Sequence, residues 1–296
     1  MSVRERLLGR SRRHGGAKPP ARSTSWIGQE PEPPPCPPDW NIGPPDFVGV
    51  GAQKAGTTWW FRLIAAHPGV YQDDGQRPEL HFFDRFHSAW PTGEDIARYH
   101  RLFPRPPRGM TGEKTPEYMA DYWVPEMLRE AAPEARLIVL LRDPIERYRS
   151  AITHGSLRDW PKERRTESDS FHRGLYVPQL QRLATSFEAS RILVLQYERC
   201  VIDPAGQLSR TFRFLGLDDH LLTDQELRRP RNQTRVEKVE VAPERLALLQ
   251  RLYDADVRAL CELVPDLDVS LWPNFAHLDP SDGVQRAPGD SLGASR

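Results

Sequence analysis

Cysteine is scarce: Cys36, Cys200 and Cys261 are the only three in 296 residues. An odd, scattered set without metal-type spacing argues against a disulfide framework and for a reducing compartment. Net charge is lacking too, since 41 basic side chains balance 41 acidic ones. No global field recommends a nucleic acid or a membrane surface as partner. No apolar run approaches the length of a membrane span, and the N-terminus lacks the apolar core of a secretory signal. The expectation is a soluble, cytoplasmic protein without an integral membrane segment.

What the chain does have is length enough for one large α/β domain with a sizeable core. Its ends differ from its middle. Residues 1–22 carry seven basic side chains and one acid, and residues 31–38 read PEPPPCPP. Residues 1–42 are therefore expected to be disordered and then stiffly extended, a solvated tail in preference to an Arg-rich transit peptide. Residues 278–296 lack apolar periodicity and read as a flexible tail. The globular unit is expected at 43–277, with no internal repeat.

Strand and helix signals alternate through that unit. DFVGVGA (46–52), ARLIVLLRDP (135–144) and RILVLQYE (191–198) read as buried strands, with shorter strands near 69–74 and within 110–116. Helical spacing is read at 57–66, 94–103, 124–132, 145–152, 171–188, 203–215 and 243–263, with a polar loop to about residue 168. The alternation predicts an α/β fold: one P-loop-like domain with a central parallel sheet flanked by helices on both faces. Ligands in such folds bind beyond the carboxyl ends of the strands. Three polar motifs fall there, at 51–58, 112–118 and 142–150.

The first, GAQKAGTT, puts Gly51 and Gly56 where a backbone must turn tightly. Thr57 and Thr58 stand at the start of a helix, whose orphan N–H groups favour an anion. Yet Lys54 precedes Gly56, whereas a Walker loop wants lysine directly after the glycine. The second, LLRDPIERYRS, ends an apolar strand on Arg142 and reaches Ser150 two helical turns later. Asp143 and Pro144 are explained as helix cap and first helical residue. An arginine at the exit of an apolar strand is costly without a partner, and an anion would supply one.

QKAGTTW followed by RDPIERYRS resembles the two cofactor motifs of the PAPS-dependent sulfotransferases, in which PAPS is 3′-phosphoadenylyl sulfate. RPELHFFD (77–84), GEKTPEYM (112–119), GLYVPQL (174–180) and YERCVIDPAGQLSRTFRFLGL (197–217) resemble segments of the heparan-sulfate, carbohydrate-type branch. One departure is Ala55, where many relatives carry glycine. The resemblance implies that Lys54 meets the oxygen bridging phosphate and sulfate, with Ala55, Gly56, Thr57, Thr58 and Trp59 forming the 5′-phosphate loop. It assigns Arg142 and Ser150 to the 3′-phosphate and places Tyr197 beside the cofactor. In RRPRNQTRVEK (228–238) it assigns Arg231 and Arg235 to the same nucleotide, although a charge run can be only a solvated loop. No metal is implied, because a sulfuryl group carries less negative charge than a phosphoryl group.

A base must take the acceptor's proton. Glu79, His81 and Glu113 are the candidates, Glu79 preferred and His81 the fallback, with Asp84 in support; Lys114 assists at the sulfuryl group, and Glu113 could instead simply orient it. Tyr176 is expected to border cofactor or acceptor. The loop 155–173, with Arg158, Lys162, Arg164 and Arg165, is the candidate acceptor-side flap. The implied activity is transfer from PAPS to a hydroxyl or amine of a sugar, glycolipid or small natural product, releasing 3′,5′-ADP. Abundant Arg, Ala and Pro fit a GC-rich bacterial genome. A P-loop kinase or NTPase and a non-catalytic PAPS-binding module remain the competing readings.

Overall fold

Apolar runs become strands where both faces can be covered. β1 (Phe47–Gly51) is buried along its whole length, and so is β3 (Arg136–Leu141) after its first residue. β2 (Gly112–Lys114) and β4 (Ile192–Gln196) complete a four-stranded sheet of order β2-β1-β3-β4, with every pairing parallel. A parallel strand buried on both faces needs a layer of helices on each side, which is the doubly covered α/β architecture the alternation predicts. The computed structural model describes residues 31–72, 79–87, 89–156, 164–228 and 238–279. Residues 1–30 and 280–296 of the two expected tails fall outside these.

Ten α-helices are described: α1 (Thr57–Ala65), α2 (Gly93–His100), α3 (Val124–Ala131), α4 (Pro144–Ser156), α5 (Arg164–His172), α6 (Tyr176–Ser186), α7 (Tyr197–Ile202), α8 (Pro204–Leu215), α9 (Asp224–Arg228) and α10 (Pro243–Leu263). Their ends follow local chemistry. Asp143 accepts from Ile145 N at 2.9 Å and Glu146 N at 3.2 Å, and Pro144 opens α4. Asp203 caps α8 through Gly206 N, and Gly216 ends it in the left-handed region. The cap of α6 is long-range: Asp256 on α10 accepts from Tyr176 N at 2.7 Å and Val177 N at 3.2 Å.

Several expectations are corrected here. The strand near 69–74 is only an isolated bridge between Val70 and Met110. Of the polar loop to residue 168, residues 153–156 belong to α4 and 164–168 to α5, with 157–163 outside the described residues. The helix read at 171–188 is two helices broken at Arg173–Leu175. A short α7 follows β4 at once. The Pro-rich segment docks before residue 43: Asn41 and Arg105 exchange backbone hydrogen bonds at 2.9 and 3.0 Å, and Trp40 packs edge-on against Tyr71. Among the described residues, no helix is long and apolar enough to cross a membrane.

Because the four strands run the same way, their carboxyl ends open on one edge of the sheet. The loop 52–56 leaves β1 there, Thr115–Tyr118 leaves β2, Arg142 leaves β3 and Tyr197 leaves β4. The exits thus bring the three polar motifs together.

Candidate active site

The loop after β1 is built to approach something closely. Ala52 N donates to Leu140 O at 2.8 Å, extending the β1–β3 ladder by one residue, and Ala55 N closes the turn on Ala52 O. Lys54 (φ 68°) and Gly56 (φ 85°) both take left-handed backbone. Gly56 is the N-cap of α1 and offers no side-chain cap, so the first turn's N–H groups at Thr57 and Thr58 keep their anion-binding character. A Cβ at Gly56 would lie 2.6 Å from the Tyr197 ring. Gly56→Ala is therefore expected to cost about 1–3 kcal/mol through strain and the displaced Tyr197. A thermal melt lowered by several degrees would register this; an unchanged melt would refute it.

β2 delivers the other half of the site. Lys114 lies opposite Gly49 in the β1–β2 register, and its stem runs across that glycine. Its side chain is only 2% exposed. The ammonium donates to Thr58 Oγ1 at 2.9 Å and to Glu79 Oε1 at 2.5 Å. One buried cation therefore joins the phosphate-type loop to the leading base candidate.

Glu79 in turn lies 3.5 Å from His81 Nε2, while His81 Nδ1 is 2.5 Å from Asp84. Burial alone would raise the Glu79 pKa, but hydrogen bonds from His81 and Lys114 and their charges hold it at about 2. Burial would lower His81; hydrogen bonds to Asp84 and Glu79 and the nearby Glu117 charge push it up to about 10. His81 is thus an imidazolium clamped between two carboxylates, on a backbone held at φ 51°.

Glu113 has a structural task. It is buried, accepts from Tyr99 Oη at 2.7 Å and Thr115 Oγ1 at 2.8 Å, and burial raises its pKa to about 7. Thr115 Oγ1 accepts from His81 N, so Glu113 braces the His81 turn and does not face the mouth. Three members of this side are new to the structure. Gln53 donates to Glu117, a second tie between the β1 loop and the β2 exit. Asp121 follows, with a pKa raised by burial to about 6. Glu79, His81 and Glu117 bring ligand atoms within 4.8 Å of one another. A cation there would have to displace the Lys114 ammonium and deprotonate His81, so this donor set fits a metal poorly.

The β3 exit is the cationic side. Arg142 Nη1 donates to Lys54 O at 3.1 Å, and the guanidinium lies over the Tyr197 ring at 5.0 Å. Trp59 meets Tyr197 edge-on and anchors its indole N–H on Leu227 O. Glu146 faces three cations: Lys238 at 2.6 Å, Arg149 at 2.8 Å and Arg142 at 3.8 Å. Burial opposes ionisation of Glu146, but Lys238 and Arg149 outweigh it and lower its pKa. One carboxylate among three cations leaves net positive charge where Arg142 precedes α4 and the half-buried Ser150 lies within it. Lys238 is the last cation of the basic stretch; Arg231 and Arg235 lie outside the described residues.

Tyr176 departs from expectation. It is fully buried, and its hydroxyl donates to Arg142 O at 2.8 Å. It therefore stands behind Arg142 and braces its backbone. Of the expected flap cations, Arg158 and Lys162 lie outside the described residues, and Arg164 and Arg165 open α5. A separate cleft of about 610 Å³ is lined by Arg199, Arg210 and residues 265–269. Its Arg210–Asp266 and Arg199–Asp268 pairs, at 2.8 and 3.5 Å, already neutralise it.

Residues 44–243 match the sulfotransferase domain family. Mouse (Mus musculus) heparan sulfate glucosamine 3-O-sulfotransferase 3B1 is 32% identical over 197 residues, covering 61% of this chain and 48% of the mouse protein. Human (Homo sapiens) heparan sulfate glucosamine 3-O-sulfotransferase 6 is 33% identical over 187 residues, covering 58% and 52%. The chain thus spans about half the length of the curated relatives it matches. A sulfotransferase crystal structure from Alicyclobacillus acidocaldarius shares the fold, with a TM-score of 0.63, 22% identity and coverage of 78% of this chain and 99% of that one.

Proposed function

We propose, from the premise that this chain belongs to the sulfotransferase domain family, that it moves a sulfuryl group from PAPS to a hydroxyl or amine of a sugar, glycolipid or small natural product. The observation that carries the reading is the Lys114 ammonium, shared between Thr58 of the β1 loop and Glu79. It puts the donor-side and acceptor-side groups at one point.

In this reading Lys54 through Trp59 cradle the 5′-phosphate by backbone N–H groups and the two threonine hydroxyls. Arg142, Ser150 and Tyr197 take the 3′-phosphate end, with Arg231 and Arg235 assigned there by family resemblance alone. The excess of cations around Glu146 fits a ligand that brings several negative charges. Glu79 accepts the proton of the attacking O–H or N–H, and the freed electron pair forms the new bond to sulfur. The bond from sulfur to the bridging oxygen breaks, its pair stays on the 5′-phosphate, and 3′,5′-ADP leaves. Lys54 and Lys114 neutralise charge on the leaving and transferring groups.

Because the mammalian relatives are heparan sulfate glucosamine 3-O-sulfotransferases, a sugar acceptor is the first to try. Purified protein with PAPS should add about 80 Da, the mass of SO₃, to an acceptor from a mixed panel, with EDTA present. ATP hydrolysis with no sulfated product would favour the nucleotidase reading. Tight 3′,5′-ADP binding with no turnover on any acceptor would favour a binding module.

A further inference from the structure

We propose that Lys114 is a coupling residue: it masks Glu79 in the free protein and releases it when a sulfuryl group enters the β1 loop. The inference rests on the sulfuryl-transfer reading above. It starts from a conflict in the geometry. A carboxylate that is to take a proton is held 2.5 Å from a buried ammonium and 3.5 Å from an imidazolium. In that setting its pKa of about 2 makes it a poor proton acceptor.

Lys114 is the removable part of that clamp. His81 is tied at its far nitrogen to Asp84 and through its backbone to Thr115, so it cannot swing away alone. Lys114 already holds a second contact on the β1-loop side, at Thr58 Oγ1. Sulfuryl oxygens on the Glu79 side of the 5′-phosphate cradle at Thr57 and Thr58 would offer the ammonium a new anionic partner within a small rotation of its Nζ. Every hydrogen bond Lys114 gives them is withdrawn from Glu79. The charged groups against Glu79 are Lys114 from β2 and His81 from its own segment, with Glu117 beyond β2 in the same cluster and Asp84 behind His81. Once Lys114 turns, Glu79 keeps one imidazolium, itself shared with Asp84, and the Glu117 carboxylate nearby, which raises its basicity.

The consequence is order. Glu79 becomes an effective base only when a loaded donor is present, and 3′,5′-ADP, which lacks the sulfuryl group, does not unmask it.

The test is a ¹³C NMR titration of the Glu79 side-chain carboxyl from pH 8 to pH 4, its resonance assigned from the Glu79→Gln spectrum. Three states are compared: free protein, protein with 3′,5′-ADP, and protein with PAPS but no acceptor. The carboxyl should stay ionised throughout in the first two states. With PAPS its midpoint should move up by about two pH units or more, into the observed range, as expected when an adjacent opposite charge is lost. In Lys114→Gln the midpoint should already be raised in the free protein, and the difference between PAPS and 3′,5′-ADP should vanish. PAPS bound with no change at Glu79 would overturn the coupling and leave sulfuryl transfer standing. A PAPS effect that persists in Lys114→Gln would also overturn it, since the donor's charge would then act directly. PAPS that fails to bind at all would remove the functional reading itself.

Discussion

Glu79→Gln is expected to lower kcat by about 10²–10⁴-fold, roughly 3–5 kcal/mol of barrier, while leaving PAPS affinity within a few-fold. The glutamine keeps the shape and an acceptor oxygen for Lys114, so the buried ammonium is not orphaned and the fold should hold. What is lost is the carboxylate that receives the acceptor's proton. The pH profile separates Glu79 from His81. Hydrogen bonds and neighbouring carboxylates keep His81 protonated up to about pH 10, so at neutral pH it has no lone pair to offer. If His81 were the base, kcat would climb through the alkaline range towards that value. With Glu79 as base it stays flat between pH 6 and 9, and this is the expected result. A loss below tenfold in Glu79→Gln, with a rate still rising at pH 9, would transfer the role to His81.

The same two groups set a stability window. Glu79 is depressed from 4.5 to about 2, so its contribution is present above pH 4.5 and is lost as pH falls through about 2. His81 is raised from 6.5 to about 10, so its contribution is complete below pH 6.5 and is lost as pH rises through about 10. Both act in full between about pH 4.5 and 6.5.

Much of the fold is legible because burial leaves a plain pattern. RLIVLL admits few states other than a doubly covered strand, and α10 spans the 243–263 read as helical, with Leu249, Tyr253, Val257 and Leu260 buried. The misses have physical causes. α5 reads RRTESDSFH, with too few apolar residues for a helical stripe; Arg147 from α4 reaching Ser170 O and Arg245 from α10 reaching Glu167 hold it from outside. α7 is one short helix leaving β4 with no punctuating residue. In the site, the residue types and motifs are legible, but the pairings are not. Lys114 and Glu79 are 35 residues apart and meet because the segment after Glu79 docks on the β2 exit, through His81 N to Thr115 and Phe82 N to Tyr118. Gln53 and Glu117 are 64 apart and meet because β1 and β2 pair in parallel. Sequence alone therefore proposes the base but not its restraint.

Arg142→Gln is the second large effect, and it falls on recognition rather than on proton transfer. Arg142 leaves β3 beneath the Tyr197 ring, with its backbone carbonyl held by Tyr176 and one guanidinium nitrogen on Lys54 O. The remaining donors are those proposed to hold the 3′-phosphate. Hydrogen bonds to a charged partner contribute about 1.5–3 kcal/mol, so 3′,5′-ADP affinity should fall by roughly 10–150-fold. Adenosine 5′-monophosphate lacks the 3′-phosphate and should lose much less, only what the loosened Lys54 turn costs. Arg142→Lys should recover little, because an ammonium cannot present the paired donors of the guanidinium. The measurement is calorimetric titration of both nucleotides into each variant. Equal losses for the two would mean that Arg142 only shapes the β1 loop, and the 3′-phosphate would then belong to Arg149 and Lys238, which share Glu146 on the same face.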